Sequence, residues 1–312
     1  MVARFRRESD SALTSTIGQH LRLAGRDDEA SSYFKLAGDH AAALYANSEA
    51  ISHYRSSLVL DHRDAAGLNA AIGDLQTLGG EYAQAINSYE TAASLCHPDT
   101  LAGIEAKLGG VYLRQGDWEV AASHFDAALA GLADRGDLAL RSSLHTDLSL
   151  TAHRTGDADR AQEEAGLALE LGEEAADPQS LAQAHNVLGI LARSRGDLPA
   201  ARYHLALSLD IAEHLDDSAS QVAALNNLAL AQWGHGELDG AITLAERGLS
   251  LCSSLGDRHR EAALHNSLSD LLHASGRPDA AMEHLKQAVA IFADIGEDAG
   301  AMQPEIWKLV EW

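Results

Sequence analysis

The sequence predicts an all-α protein built as a solenoid of stacked helix pairs. Three observations predict it. Turn glycines recur at Gly116, Gly156, Gly196, Gly236 and Gly276, each 40 residues after the last. Leucine followed by a small residue precedes each glycine by a fixed interval: Leu108-Gly109, Leu148-Ser149, Leu188-Gly189, Leu228-Ala229 and Leu268-Ser269. The composition favours helix almost throughout, with 5 prolines in 312 residues and much Ala, Leu, Glu, Gln and Arg. Those side chains lose little freedom in a helix.

Each column has a physical reason. A leucine beside a small residue lets two helices approach at the short end of the usual interaxial range. The glycine ends the first helix of a pair in a left-handed cap. Asp117, Asp157 and Asp197 follow it in three repeats, placed to cap the second helix, with Glu237 and Arg277 in the other two. Five residues beyond the glycines, Ala121, Ala161, Ala201, Ala241 and Ala281 let the second helix cross closely. A single pair cannot bury its apolar face, so neighbours stack and share a core.

In chain order, residues 1–62 read as two short irregular pairs. The first carries Ile17-Gly18, Gly25, Ala30, Phe34 and Ala37; the second ends in Ala50, Tyr54 and Ser57-Leu58. Residues 63–301 read as six repeats of about 36–40 residues, opening with Ile72-Gly73, Gly80, Ala85, Tyr89 and Ala92. Gly136, Gly256 and Gly296 are placed to cap second helices, and Asp177-Pro178 reads as an N-cap with proline at the first helical position. Residues 302–312 break the period. With Trp307 and Trp312 they are expected to form a helix that covers the last repeat's core. The whole is expected to be one continuous solenoid of about eight pairs.

The order Leu-Gly, Gly-Asp, Ala, large apolar residue, Ala-Leu resembles the tetratricopeptide repeat. Leu188-Gly189, Gly196-Asp197, Ala201, Leu205 and Ser208-Leu209 display it within one unit. The period of 40 exceeds the roughly 34 of the commonest form. The surplus falls after the second helix, at 133–139 and 253–259, so both helices of a pair are expected to be longer by about a turn. The resemblance implies a right-handed α-α superhelix that binds a protein or peptide and is not an enzyme. Forty-residue forms resemble repeats of adaptor proteins and bacterial peptide receptors. Stretches 20–25, 37–41 and 44–50 resemble the helical segment after the ATPase module of large bacterial signalling ATPases and transcription regulators. Residues 304–312 resemble the extreme C-terminus of such proteins. That implies a sensor or adaptor part, with neither phosphate loop nor helix-turn-helix of its own.

Charge narrows the partners. Acidic residues outnumber basic ones 46 to 23, for a formal charge of −23. Such a surface repels phosphate backbones, so no nucleic-acid partner is expected, and Arg4, Arg6 and Arg7 read as a solvated terminus. No apolar run is long enough for a membrane span, and residues 1–19 lack a signal-peptide core. Cys96 and Cys252 read as small buried hydrophobes in a reducing compartment, so a cytoplasmic location is expected. No phosphate-loop, dinucleotide, HExxH, GxSxG or CxxC pattern occurs, so no cofactor, metal or catalytic site is expected. Of the 16 histidines, His145 and His153 are eight residues apart on one helix, as are His265 and His273. That is roughly 12 Å, too far for one zinc ion. His145, His185 and His265 fall where the repeat usually has an aromatic, and read as packing residues.

The resemblance places the ligand against the first helix of each pair, at positions three before the small residue and one, four and five after it. Three before it stand Asn186, Asn226 and Asn266 in successive repeats, with Thr146 and Ala106 earlier. An asparagine amide grips a peptide unit through both N–H and C=O. First helices stacked roughly 10 Å apart match about three residues of extended chain. The deeper columns hold His153, Arg193, Trp233 and His273, then Arg114 and Arg154, opposed by Asp270. Arginines in a groove on so acidic a chain suit a peptide with acidic side chains; pairing with neighbouring carboxylates is the alternative. The expected groove is therefore Asn186, Asn226, Asn266, Arg114, Arg154, Arg193, Trp233 and His273. The rival reading is a self-assembly scaffold acting through its end surfaces, with the C-terminal helix as a homo-oligomer contact.

Overall fold

The computed structural model describes residues 2–132 and 137–296, with side chains from residue 13 onward. These residues form fifteen helices and no strand. They divide into two compact units, Met1–Ile104 and Glu105–Trp312.

In the first unit, α1 (Val2–Leu23), α2 (Asp27–Ala42) and α3 (Asn47–Leu58) precede the more regular pair α4 (Ala65–Gly79) and α5 (Tyr82–Leu95). Helix α2 packs against both α1 and α3. It therefore serves as second helix of one pair and first helix of the next, which is why eight pairings need only fifteen helices. Tyr54, Leu68, Ile72 and Leu75 with Ala41 and Ala50 make the core here.

Helix α6 (Pro98–Gln115) contains the boundary, and α7 (Trp118–Leu132) follows it. Then come α8 (Leu138–Thr155), α9 (Ala158–Ala175), α10 (Pro178–Ser194), α11 (Leu198–His214), α12 (Ser218–Gly234), α13 (Leu238–Leu255), α14 (Arg258–Ala274) and α15 (Pro278–Gly296). From α8 on, each has 17 to 19 residues, the lengthening expected of a 40-residue period.

The small-residue column is explained by what lies 16 positions later. A Cβ on Gly109 would fall 2.5 Å from the Phe125 ring, and one on Gly73 would fall 2.6 Å from Tyr89. Gly38 lies under Tyr54 and Gly189 under Leu205 in the same way. Where Ser149 and Ala229 replace glycine, the later residue shrinks to Ala165 and Ala245. Volume is thus traded across the contact in those two repeats, as close packing requires, while the last repeat keeps Leu285 at the register position opposite Ser269. The five turn glycines take φ between 77° and 87°, the left-handed conformation that a side chain disfavours.

Caps complete the register. Asp157 and Asp197 accept backbone N–H bonds at the starts of α9 and α11, while Glu237 makes no side-chain cap for α13. A second aspartate column is equally regular: Asp137, Asp177, Asp217 and Asp257 cap α8, α10, α12 and α14, 40 residues apart. Cys252 is buried, its thiol pushed up to about 12 by burial and then by Asp257. Cys96 corrects the expectation of two buried thiols: it ends α5 in an extended conformation and is only half-buried. Gly136 and segment 302–312, including Trp307 and Trp312, lie outside the described residues.

Candidate functional site

Helices α8, α10, α12 and α14 adjoin one another as first helices of successive pairs. Asn186, Asn226 and Asn266 stand at one register position on three of them, all half-buried. Neighbouring columns interlock: the Asn227 amide donates to Asn186 Oδ1 at 3.0 Å. The buried Asn226 Oδ1 accepts no hydrogen bond within the protein. Trp233, at 38% exposed, and the exposed His273 lie nearer the helix ends.

The three arginines separate into two kinds. Arg114 Nη1 and Nη2 each donate to an Asp257 carboxylate oxygen at 2.9 Å, joining α6 to the start of α14 across 143 residues of sequence. Asp257 is 1% exposed and also accepts from the Arg260 backbone N–H at 3.1 Å. Burial alone would raise its titration. The Arg114 charge and hydrogen bonds, then Arg260, outweigh burial and hold the carboxyl well below the usual range. The alternative of arginine–carboxylate pairing therefore holds for Arg114.

Arg154 and Arg193 differ. Neither guanidinium has an ion pair or hydrogen bond among the described residues, and Arg193 Nε is buried without an acceptor. Burial and then the nearby Arg154 charge push Arg193 below the ordinary arginine value. His153 is likewise pushed down by burial, then by Arg154 and Arg193. The exposed Arg154 and the half-buried Arg193 thus place two cations without a carboxylate partner among the described residues on a chain of net charge −23.

Two cavities open on this wall. One, of about 240 Å³, is lined by Thr146, Asp147, Asn186, Ser220 and Arg260 among others. The second, of about 550 Å³, is lined by Arg114, Trp118, Asp147, Arg154, His259 and Arg260. The His259 ring is kept neutral, pushed to about 3 by burial and then by Arg114. Column reading missed Asp147, Asp257, His259 and Arg260. Asp257 had a signal, its place in the 40-residue aspartate column, but that reports a cap and not a partner on α6. Asp147 lies one position outside the columns assigned to the groove.

The histidines pair off between the two helices of a repeat, 19 residues apart. His124 bonds Glu105 and His145 bonds Glu164, both at 2.7 Å. The Nδ1 atoms of His185 and His204 lie 3.1 Å apart, and those of His265 and His284 lie 2.8 Å apart. Leu225 and Leu244 hold the corresponding positions in the remaining pair. The rings therefore stand in the interior contact that an aromatic would otherwise fill.

Residues 180–254, 220–294 and 106–139 match the tetratricopeptide repeat family, so the chain carries tetratricopeptide repeats. No curated protein matches the sequence. Among solved structures, it is similar to the Rap conjugation gene regulator of plasmid pLS20 in complex with the Phr peptide. That alignment has TM-score 0.71 and 17% identity, covering 90% of this chain and 79% of that one. A signal transduction ATPase with a tetratricopeptide repeat sensor from Pyrococcus horikoshii aligns with TM-score 0.56 and 12% identity, covering 97% of this chain and 53% of that one. A chain of the APC/C hetero-tetramer Cut9–Hcn1 aligns with TM-score 0.58 and 18% identity, over 87% of this chain and 49% of that one. The chain thus spans about half the length of the last two. At these identities the likeness is one of fold. Among the described residues no helix is long and apolar enough to cross a membrane.

Proposed function

We propose that the wall formed by α8, α10, α12 and α14 captures an extended peptide or protein segment bearing an acidic side chain. The carrying observation is the Arg154–Arg193 pair, two guanidiniums whose like charges interact and which have no carboxylate partner among the described residues. Guanidiniums bind carboxylate through paired, charge-assisted hydrogen bonds, and the partner carboxylate would have to come from a ligand. Asn186, Asn226 and Asn266 would hold the backbone, each from a half-buried position on the wall. Trp233 would serve as a flat apolar anchor at the rim. Arg114, already committed to Asp257, would shape the groove and not contact the ligand.

The activity so defined is binding without catalysis, as sensor or adaptor part of a larger cytoplasmic signalling regulator. The peptide-bound Rap structure and the sensor-bearing ATPase support that assignment by fold. The test is fluorescence anisotropy with a pool of labelled alanine-rich hexapeptides, each acidic at one position. Arg154→Ala/Arg193→Ala is expected to weaken binding at least tenfold, and the triple asparagine-to-alanine variant to weaken it for every member of the pool. Affinity unchanged in both variants would overturn the reading.

A further inference from the structure

We infer that Asp147 is a second charged subsite on this wall, one that takes a cationic group of the same ligand. The inference rests on the proposed binding of a peptide here, and it specifies the ligand further: a segment carrying a positive charge as well as an acidic one. Asp147 projects from the middle of α8 and lines both cavities. Its carboxyl makes no hydrogen bond or ion pair among the described residues. Asp147 is half-buried, and a carboxylate partly withdrawn from water without a partner carries a cost, so one retained for structure is normally satisfied. Nor does packing require it. Its register equivalents on neighbouring first helices are Lys107, Val187, Asn227 and Ser267, so the fold accepts almost any side chain there.

The groups around Asp147 are already assigned. Arg114 and Arg260 are both engaged by Asp257, and Arg260 Nη1 also donates to the Ala219 carbonyl at 3.2 Å. His259 stays neutral beside them. Arg154 stands with Arg193. None of these holds the Asp147 charge: burial alone pushes its carboxyl to about 7. An incoming ammonium or guanidinium would supply the missing partner.

Position adds the geometry. Asp147 adjoins Thr146, the α8 member of the asparagine column, so a backbone running from Asn266 through Asn226 to Asn186 next meets Asp147. Arg154 lies seven residues further along α8, about 10 Å at 1.5 Å per residue. One ligand group cannot serve both. A cation at Asp147 and a carboxylate at Arg154–Arg193 would be separated by about three residues of extended chain. A free α-ammonium and a lysine side chain offer the same chemistry at Asp147.

Three alanine-rich hexapeptides carrying one aspartate separate these sources: a free N-terminus without lysine, an acetylated N-terminus with one lysine, and an acetylated N-terminus without lysine. Calorimetric titration against the intact chain is expected to show at least one cationic probe weakened tenfold or more by Asp147→Asn. The acetylated lysine-free probe should be unaffected. Because a bound cation favours the ionised carboxyl, the affinity of that cationic probe should also fall as pH drops below about 7. Asp147→Val, the residue at the equivalent position of α10, guards against a folding defect and should behave as Asp147→Asn does. Wild-type affinity for all three probes in both variants overturns the inference. The subsite is also read without any peptide: saturating butylammonium should lower the NMR titration midpoint of the Asp147 carboxyl, and an unmoved midpoint overturns the inference. Loss of the Arg154–Arg193 effect alone would overturn the acidic-peptide reading and leave the butylammonium result standing.

Discussion

Asp257 begins α14 as one of four aspartates with the same capping duty, yet it alone is bound by a guanidinium from α6. The other members of the column need only their own helix. Asp257→Ala removes the cap and leaves Arg114, 20% exposed, without a counter-charge. The expected loss is about 3 kcal/mol, because a guanidinium stranded in a mostly buried position costs more than the bridge itself contributed. Asp257→Asn keeps an oxygen for the cap and loses the charge, so its loss should be smaller. Urea unfolding of the two variants measures both, and equal losses would locate the whole effect in the ion pair with Arg114 and none of it in the cap. At this scale the sequence named Asn186, Asn226, Asn266, Arg154 and Arg193 by column. It could not tell Arg114 from Arg154, since both occupy one column and only the fold brings a carboxylate to one of them.

At the scale of the helix pair, a small residue on the first helix makes room for the residue 16 positions later on the second. Gly109 with Phe125, Gly189 with Leu205, and Ser149 with Ala165 divide one space differently. Gly109→Ala should therefore destabilise the protein by about 1–3 kcal/mol through overpacking, despite a helix-propensity gain of up to about 1 kcal/mol. Gly110→Ala, one position on, meets nothing within 4 Å and should be neutral or stabilising. Thermal melts of the two variants decide it: a stable Gly109→Ala protein would mean that the Phe125 ring can move aside. The pairing itself was legible in the sequence because every repeat restates it. The shared role of α2 was less so, since no second sequence copy of that irregular arrangement exists to compare with it.

At the scale of the molecule, the histidine pairs recur through the stack, so their titration is felt across it. Burial, the largest cause for each ring, pushes His185, His204, His265 and His284 below the ordinary histidine value, His265 to about 4. The unfolded chain then binds protons that the folded chain refuses. Stability from these rings is complete above the unfolded value of about 6.5 and is lost as pH falls from there toward about 4. Melting temperature should accordingly drop through that window. His185→Leu/His204→Leu/His265→Leu/His284→Leu, imitating Leu225 and Leu244, should flatten the drop. A variant as acid-sensitive as the parent would assign the effect to other groups.

By itself the sequence determined the helical class, the 40-residue register and the left-handed glycines. These are local or periodic properties, and a period of 40 writes each of them several times over. Only the tertiary structure decided which charges are satisfied. Arg114 meets Asp257 from 143 residues away, Arg193 feels the charge of Arg154, and the Asp147 carboxyl has no hydrogen-bond or ionic partner among the described residues. Charge compensation depends on which atoms come within a few ångströms of each other, and no repeat pattern encodes that distance between residues several turns of the stack apart.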